Sequence, residues 1–289
     1  MKIAKSSGAL FLCCMLVCTA ARAGSPVWKI SKGDNHLFVG GTIHVLSSSD
    51  YPLPAALDSA YGNSTILALE ADTQKIQAPE TKKIISEKGL YKGDSDITRF
   101  LEPHTAQDLE KYLASRGIAF EQIVKFKPWL LSVTLLGIEL QRLGQGGTGV
   151  DEFYCQKALD EKRTITYLET IPEQLEFLSH MGEGAENAFM QYTLKDLKDL
   201  PDTLQAIKDA WRTGDIARLQ KVAVDPLENE FPDLYASLLV ERNNSWIKRI
   251  EAMLSTAEVE LVLVGSLHLV GSDGILAQLK KRGYCIENI

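Results

Sequence analysis

The sequence predicts an α/β protein: a mixed central sheet from two pseudo-repeated halves, with a large helical insertion or lid. Three observations predict it. Short β-rich runs lie near both ends of the chain, the stretch from Pro172 to about Ser255 is almost entirely helical in pattern, and two apolar strands run into the same Gly-x-x-His motif. Strands at both ends with helices between them imply a sheet assembled from distant parts of the chain.

The first residues are expected to be a signal peptide. Lys2 and Lys5 precede an apolar run from Gly8 to Cys18, too short to span a bilayer stably. Ala21-Arg22-Ala23 then gives a small-x-small cleavage pattern, so cleavage is expected after Ala23, sending residues 24–289 to the periplasm or outside as one domain. Bulky Val17 argues against lipoprotein processing at Cys18.

From there the elements follow in order. Val27 to Ile30 and His36 to Val39 are β-rich and flank Lys32-Gly33-Asp34-Asn35, strong turn chemistry that predicts a hairpin. Thr65 to Leu69 is a third apolar run, and a helix is expected from Ala78 to Lys88. Thr105-Ala-Gln-Asp108 resembles a capping box opening a helix that Gly117 stops. Pro128 opens a long apolar helix to about Leu143, and a glycine-rich loop from Gly144 to Gly149 precedes a helix near Asp151 to Glu161. Thr164 to Leu168 is β-branched. The helical subdomain, about 172–255, has expected breaks at Gly182 to Gly184, Pro201, Gly214 and Pro226 to Pro232. Val259 to Val264 reads as a strand buried on both faces, a short helix follows from Asp273 to Arg282, and Tyr284 to Ile289 reads as a closing strand.

Net charge narrows the partners. The 289-residue chain carries −7, and removal of Lys2, Lys5 and Arg22 with the leader leaves 28 basic against 38 acidic residues, a charge of −10. That balance excludes nucleic acid as partner. The most apolar helix, Trp129 to Leu143, contains Glu139, Gln141 and Arg142, so no membrane span is expected after the leader. Two cysteines remain, Cys155 and Cys285, and an oxidising compartment permits a disulfide or two separate thiols.

The chemistry lies in two matched pairs. Leu37-Phe-Val-Gly-Gly-Thr-Ile-His44 and Leu261-Val-Leu-Val-Gly-Ser-Leu-His268 each run from strand to glycine to histidine. The glycine is expected to let the chain turn sharply, presenting the imidazole at the carboxyl edge of the sheet, where ligands bind in open α/β folds. Ile66-Leu-Ala-Leu-Glu70 and Ile165-Thr-Tyr-Leu-Glu169 each end an apolar strand on a carboxylate. The order His, Glu, Glu, His reads like a mirrored duplication. Two imidazoles with carboxylates form a common recipe for a divalent cation that activates water, the second glutamate being a ligand or a base.

These residues resemble the TraB/GumN family, which includes the animal Tiki proteins. The resemblance spans nearly the whole mature chain. It rests on Gly-Gly-Thr-Ile-His44, Leu-Glu70, Gly149-Val-Asp151, Leu-Glu169-Thr with Glu173-Gln174-Leu, Glu241-Arg242-Asn243, and Val-Gly265-Ser-Leu-His268-Leu-Val-Gly271. It implies a metal-dependent hydrolase cutting peptide or amide bonds, with His44, Glu70 and His268 as metal candidates. Glu70, Glu169, Arg242 and Asn243 are then the catalytic candidates, with Mn, Co or Zn as the cation. The alternative is a non-catalytic periplasmic binding protein for a peptide, signal or haem-like ligand. In the family context Arg242 is expected to hold a substrate carboxylate or steady an oxyanion, with Asn243 orienting it. Asp151 caps its helix or lies near the site. Trp129, Tyr192, Trp211 and Trp246 read as core.

Overall fold

The expected hairpin founds one side of the sheet. In the computed structural model, which describes residues 24–289, β1 (Val27–Lys32) runs antiparallel to β2 (Asn35–Thr42). The expected leader and its cleavage point lie outside the described residues. The remaining strands are β3 (Val45–Leu46), β4 (Ile66–Leu69), β5 (Gly147–Thr148), β6 (Thr164–Tyr167), β7 (Glu260–Gly265) and β8 (Cys285–Asn288). Six of them form a mixed sheet in the order β6-β4-β7-β2-β1-β8, with β3 and β5 as a separate antiparallel ribbon. The four strands from β6 to β2 are mutually parallel, and β1 and β8 close the sheet antiparallel. The α/β class therefore holds. The strands preceding His44, Glu70, Glu169 and His268 interleave, so all four end at one edge.

Alternation along the strands separates two cores. Phe38, Leu67, Leu69, Leu261 and Leu263 face Leu57, Tyr154 and Trp211. Leu37, Val39, Ala68, Val262 and Val264 face Trp246, Ile250 and Leu279 on the other side. In β7 Leu261 to Val264 are completely buried; each such side chain is worth about 1.5–3 kcal/mol over exposure. This two-faced burial is why the strand reads as an unbroken apolar run.

Between β6 and β7 the chain is helical, from Ile171–Ser179 through Glu186–Arg212 to Glu241–Met253, and it builds a third core around Leu197, Leu219, Leu234 and Leu239. Two expectations fail here and nearby. Pro201 does not interrupt the 27-residue helix Glu186–Arg212. Buried Phe189, Met190, Leu197, Leu200 and Trp211 hold both sides of the proline, and that packing outweighs a defect of about 3 kcal/mol. Thr105 does not cap its helix. Pro103 occupies the first turn, the helix runs Pro103–Ser115 from Glu102, and Thr105 is buried inside it. Cys155 and Cys285 are both free, one buried in the helix Val150–Asp160, the other exposed on the edge strand β8. No helix among the described residues is long and apolar enough to cross a membrane.

Candidate active site at the sheet edge

The parallel strands deliver the four candidates side by side. Leu69 pairs with both Tyr167 and Leu263, so Glu70 emerges between Glu169 and the turn that carries His268. Thr42 pairs with Gly265, which places the His44 loop on the far side of that turn. Ser266 Oγ donates to Thr42 O at 2.6 Å and ties the two histidine loops together.

Gly265 is the floor where these groups meet. A Cβ there would lie 3.3 Å from Glu70 Oε1, 3.5 Å from His44 Nε2 and 3.6 Å from His268 Cδ2. The backbone of Gly265 has φ −50°, open to any residue. The glycine therefore supplies space for the site rather than the sharp turn expected of it. Its N–H donates to Glu70 Oε1 at 2.7 Å.

Arg242 joins the two carboxylates. The preceding π-helical turn Ala236–Val240 leads into the helix Glu241–Met253 and aims the guanidinium at the strand ends. Nη2 donates to Glu70 Oε2 and to Glu169 Oε1, each at 2.7 Å, and Nε donates to Glu169 Oε2 at 3.3 Å. Nη1 donates to His268 Nε2 at 3.1 Å and to Leu238 O at 3.4 Å. All five N–H groups are thus committed inside the protein. Arg242 has no donor left for a substrate carboxylate in this arrangement; it balances two buried charges instead. Trp246, read from the sequence as plain core, also serves the site: its Nε1 donates to Glu169 Oε2 at 3.0 Å, and Arg242 sits 4.6 Å above its ring.

These contacts set the charge states. Burial pushes Glu70 up, but Arg242, then His268, His44 and the Gly265 N–H, hold it down at about 2. Glu169 goes the other way, because burial and its neighbour Glu70 outweigh Arg242. One guanidinium serves two carboxylates, and it holds Glu70 down while burial pushes Glu169 up.

His268 is buried and neutral. Asn243 Nδ2 donates to two main-chain carbonyls, His268 O at 3.2 Å and Asp273 O at 2.9 Å, which turns Oδ1 toward the ring. His268 Nδ1–H then donates to that oxygen at 2.8 Å, leaving the Nε2 lone pair to accept from Arg242. Asn243 therefore orients His268, not the arginine. Burial lowers this imidazole to about 3, the Arg242 and His44 charges reinforce it, and Glu70 only partly offsets them.

His44 differs on every count. Its side chain is 59% exposed, and Nδ1 lies 3.2 Å from Asp151 Oδ1. Loss of water around the ring opposes protonation, but the Asp151 and Glu70 carboxylates outweigh it and raise the pKa to about 9. Asp151 is not the cap of its helix; Gly149 is. A side chain on Gly149 would collide with the His44 carbonyl, and Val150 N donates to Ile43 O at 3.1 Å. That contact, with the β3–β5 ribbon, delivers Asp151 to His44. The motif Gly149-Val-Asp151 carried this signal in the sequence without naming its target.

The donor types suit a divalent cation, but in this arrangement Arg242 already takes up Glu70 Oε2 and His268 Nε2. Among the described residues no three His, Cys, Asp or Glu side chains are grouped to hold a metal ion. A guanidinium already contacts Glu70, Glu169 and His268 Nε2, so a cation occupies the position a metal would take.

A family model described as the TraB/PrgY/gumN family matches residues 26–288. The chain is similar to a protein named "Uncharacterized protein YbaP" of Escherichia coli (strain K12), 25% identical over 254 residues, covering 86% of this chain and 88% of the relative. A protein of the same name from Shigella flexneri matches equally, at 25% over 254 residues with the same coverage. No solved structure matches.

Proposed function

This chain belongs to the TraB/PrgY/gumN family, and from that premise we propose that it is a hydrolase of peptide or amide bonds whose proton-transfer group is His44. One observation carries the reading: an imidazole paired with a carboxylate at Nδ1 places its Nε2 over the same floor as Glu70 and His268. An aspartate behind Nδ1 fixes the tautomer and leaves Nε2 as the nitrogen that takes a proton from water and returns it to the leaving amine. The raised pKa of His44 means that this base is free of its proton only on the alkaline side, so kcat/KM rises with pH toward about 9. Glu70 stays anionic and holds water or an amide N–H beside that nitrogen, while Arg242 and the Gly265 N–H keep its oxygens in place.

The test is incubation of the purified protein and of His44→Ala with a peptide library, followed by mass spectrometry of the termini. New termini with the parent protein, reduced by about 10²-fold or more in the variant, are expected. Peptides that survive intact with both would end the hydrolase reading and leave a binding protein.

A divalent cation is the second reading, favoured by the meeting of two imidazoles and Glu70 over Gly265. It requires Arg242 to release His268 Nε2 and His44 to lose its proton. Elemental analysis of the purified protein separates the two: stoichiometric metal that disappears in His44→Ala supports the cation.

A further inference from the structure

We propose that the last turn of the helix Glu186–Arg212 is the positioning device for the His44–Asp151 pair, with the buried ammonium of Lys208 as its central contact. Three side chains of that turn reach every segment that carries the pair. Trp211 Nε1 donates to Gly41 O at 2.7 Å, three residues before His44. Arg212 donates to Asp50 O, and through Nη1 to Pro52 O at 3.4 Å, just beyond the ribbon strand that follows His44. Lys208, only 5% exposed, ion-pairs with Asp50 Oδ2 and donates to Gln145 Oε1 at 3.0 Å.

Asp50 and Gln145 flank the same end of the β3–β5 ribbon, opposite the end that carries His44 and Gly149. Asp50 accepts from Ser47 N at 2.8 Å and from Ser47 Oγ at 2.7 Å, closing the turn immediately after Leu46. Gln145 lies two residues before Gly147, the start of β5. The ribbon pairs Val45 with Thr148 and Leu46 with Gly147. One strand begins directly after His44, and the other ends three residues before Asp151. A two-residue ribbon has too little of its own to hold a register. Lys208 bonds to both of its flanks, so the ammonium fixes the separation of the two segments and with it the distance between the His44 ring and its carboxylate. A buried lysine is costly unless fully paired, and here both of its partners belong to the ribbon's flanks.

The inference rests on His44 as the proton-transfer group, but its readout needs no substrate. A His ring N–H facing a carboxylate, as His44 Nδ1 faces Asp151 Oδ1 at 3.2 Å, gives a downfield proton resonance, assignable here by its loss in Asp151→Asn. It is expected in the wild-type protein and in Lys195→Met, which removes an exposed lysine on the same helix that pairs with Glu230. It is expected to vanish or move upfield in Lys208→Met. The double variant Lys208→Met, Asp50→Leu removes both buried charges; it should regain the melting temperature but not the resonance. On any peptide the protein cleaves, the double variant should lose about 10²-fold in kcat with KM within twofold, the effect of a small misplacement of a catalytic group. A resonance that persists in folded Lys208→Met, or that returns with stability in the double variant, overturns the proposal. Lack of turnover by the wild-type protein ends the hydrolase reading alone, because the resonance reports the pairing in the resting protein.

Discussion

The two Gly-x-x-His loops leave neighbouring parallel strands at the same level, and their histidines meet over one glycine, yet they are opposites chemically. His268 sits on a one-turn helix, Ser266–Leu269, beneath the helix Glu241–Met253, and burial with the Arg242 charge outweighs Glu70 to favour a neutral ring. His44 stands on the open side of the same floor with Asp151 against its Nδ1, and it keeps its proton well past neutrality. The same local sequence pattern thus brings both imidazoles to one sheet edge, one on a one-turn helix and the other on the bend before β3. What surrounds each ring differs: burial beside Arg242 and Asn243 for His268, the Asp151 carboxylate for the exposed His44. Burial and the Arg242 charge keep His268 neutral; Asp151 rewards the cation on His44.

The comparison can be broken or sharpened by substitution. The largest effect is expected at Arg242, which serves the buried loop. Arg242→Met leaves Glu70 and Glu169 facing each other without their shared cation, and should cost about 3–5 kcal/mol in chemical denaturation. A loss under 1 kcal/mol would show that the carboxylates find other partners. Next come the histidines. His44→Ala should lower turnover by about 10²-fold or more and, because its ring is largely exposed, cost less stability at neutral pH than His268→Ala. His268→Ala should instead destabilise the fold by about 1–3 kcal/mol, since Asn243 Oδ1 and Arg242 Nη1 lose a buried partner. Equal effects of the two variants on stability would erase the distinction.

The smallest effect is the pH dependence of stability, where the two rings have opposite signs. His44, raised from 6.5 to about 9, contributes stability that is fully present below 6.5 and is lost as pH rises through about 9. His268, lowered from 6.5 to about 3, refuses a proton that the unfolded chain accepts, so stability falls as pH drops from 6.5 toward 3. Glu70, lowered from 4.5 to about 2, adds to the acid limb: its contribution is present above 4.5 and lost as pH falls toward 2. Thermal melts across pH should therefore show an alkaline limb that His44→Ala flattens and an acid limb that His268→Ala flattens.

Much of this arrangement was legible in the sequence, and the exceptions have physical causes. The hairpin, the strand-end glutamates and the two histidine loops follow from period-two burial, turn chemistry and the abrupt end of apolar runs. Those signals are local. The roles of Arg242 and Asn243 were not local: Arg242 meets Glu70 across 172 residues, and Asn243 meets His268 across 25. Nothing in Glu-Arg-Asn says which neighbour a side chain will find. The glycine of each motif is expected from the sequence to be a conformational device, whereas a methyl group on Gly265 would press on Glu70 Oε1 at 3.3 Å and touch His44 and His268. Asp151 belonged to a recognisable motif, but its partner was set by the β3–β5 ribbon, too short to register as strands in the sequence. Pro201 stays helical because tertiary packing overrides its turn preference, and Thr105 is no cap because Pro103 starts the helix two residues earlier.

The most direct measurement is an NMR titration of the His44 and His268 rings in the wild-type protein, assigned with the single alanine variants. His44 is expected to stay protonated through neutral pH and to lose its proton near 9, while His268 stays neutral down to about 3. Two rings titrating together near the ordinary value of 6.5 would contradict the division of roles between the loops.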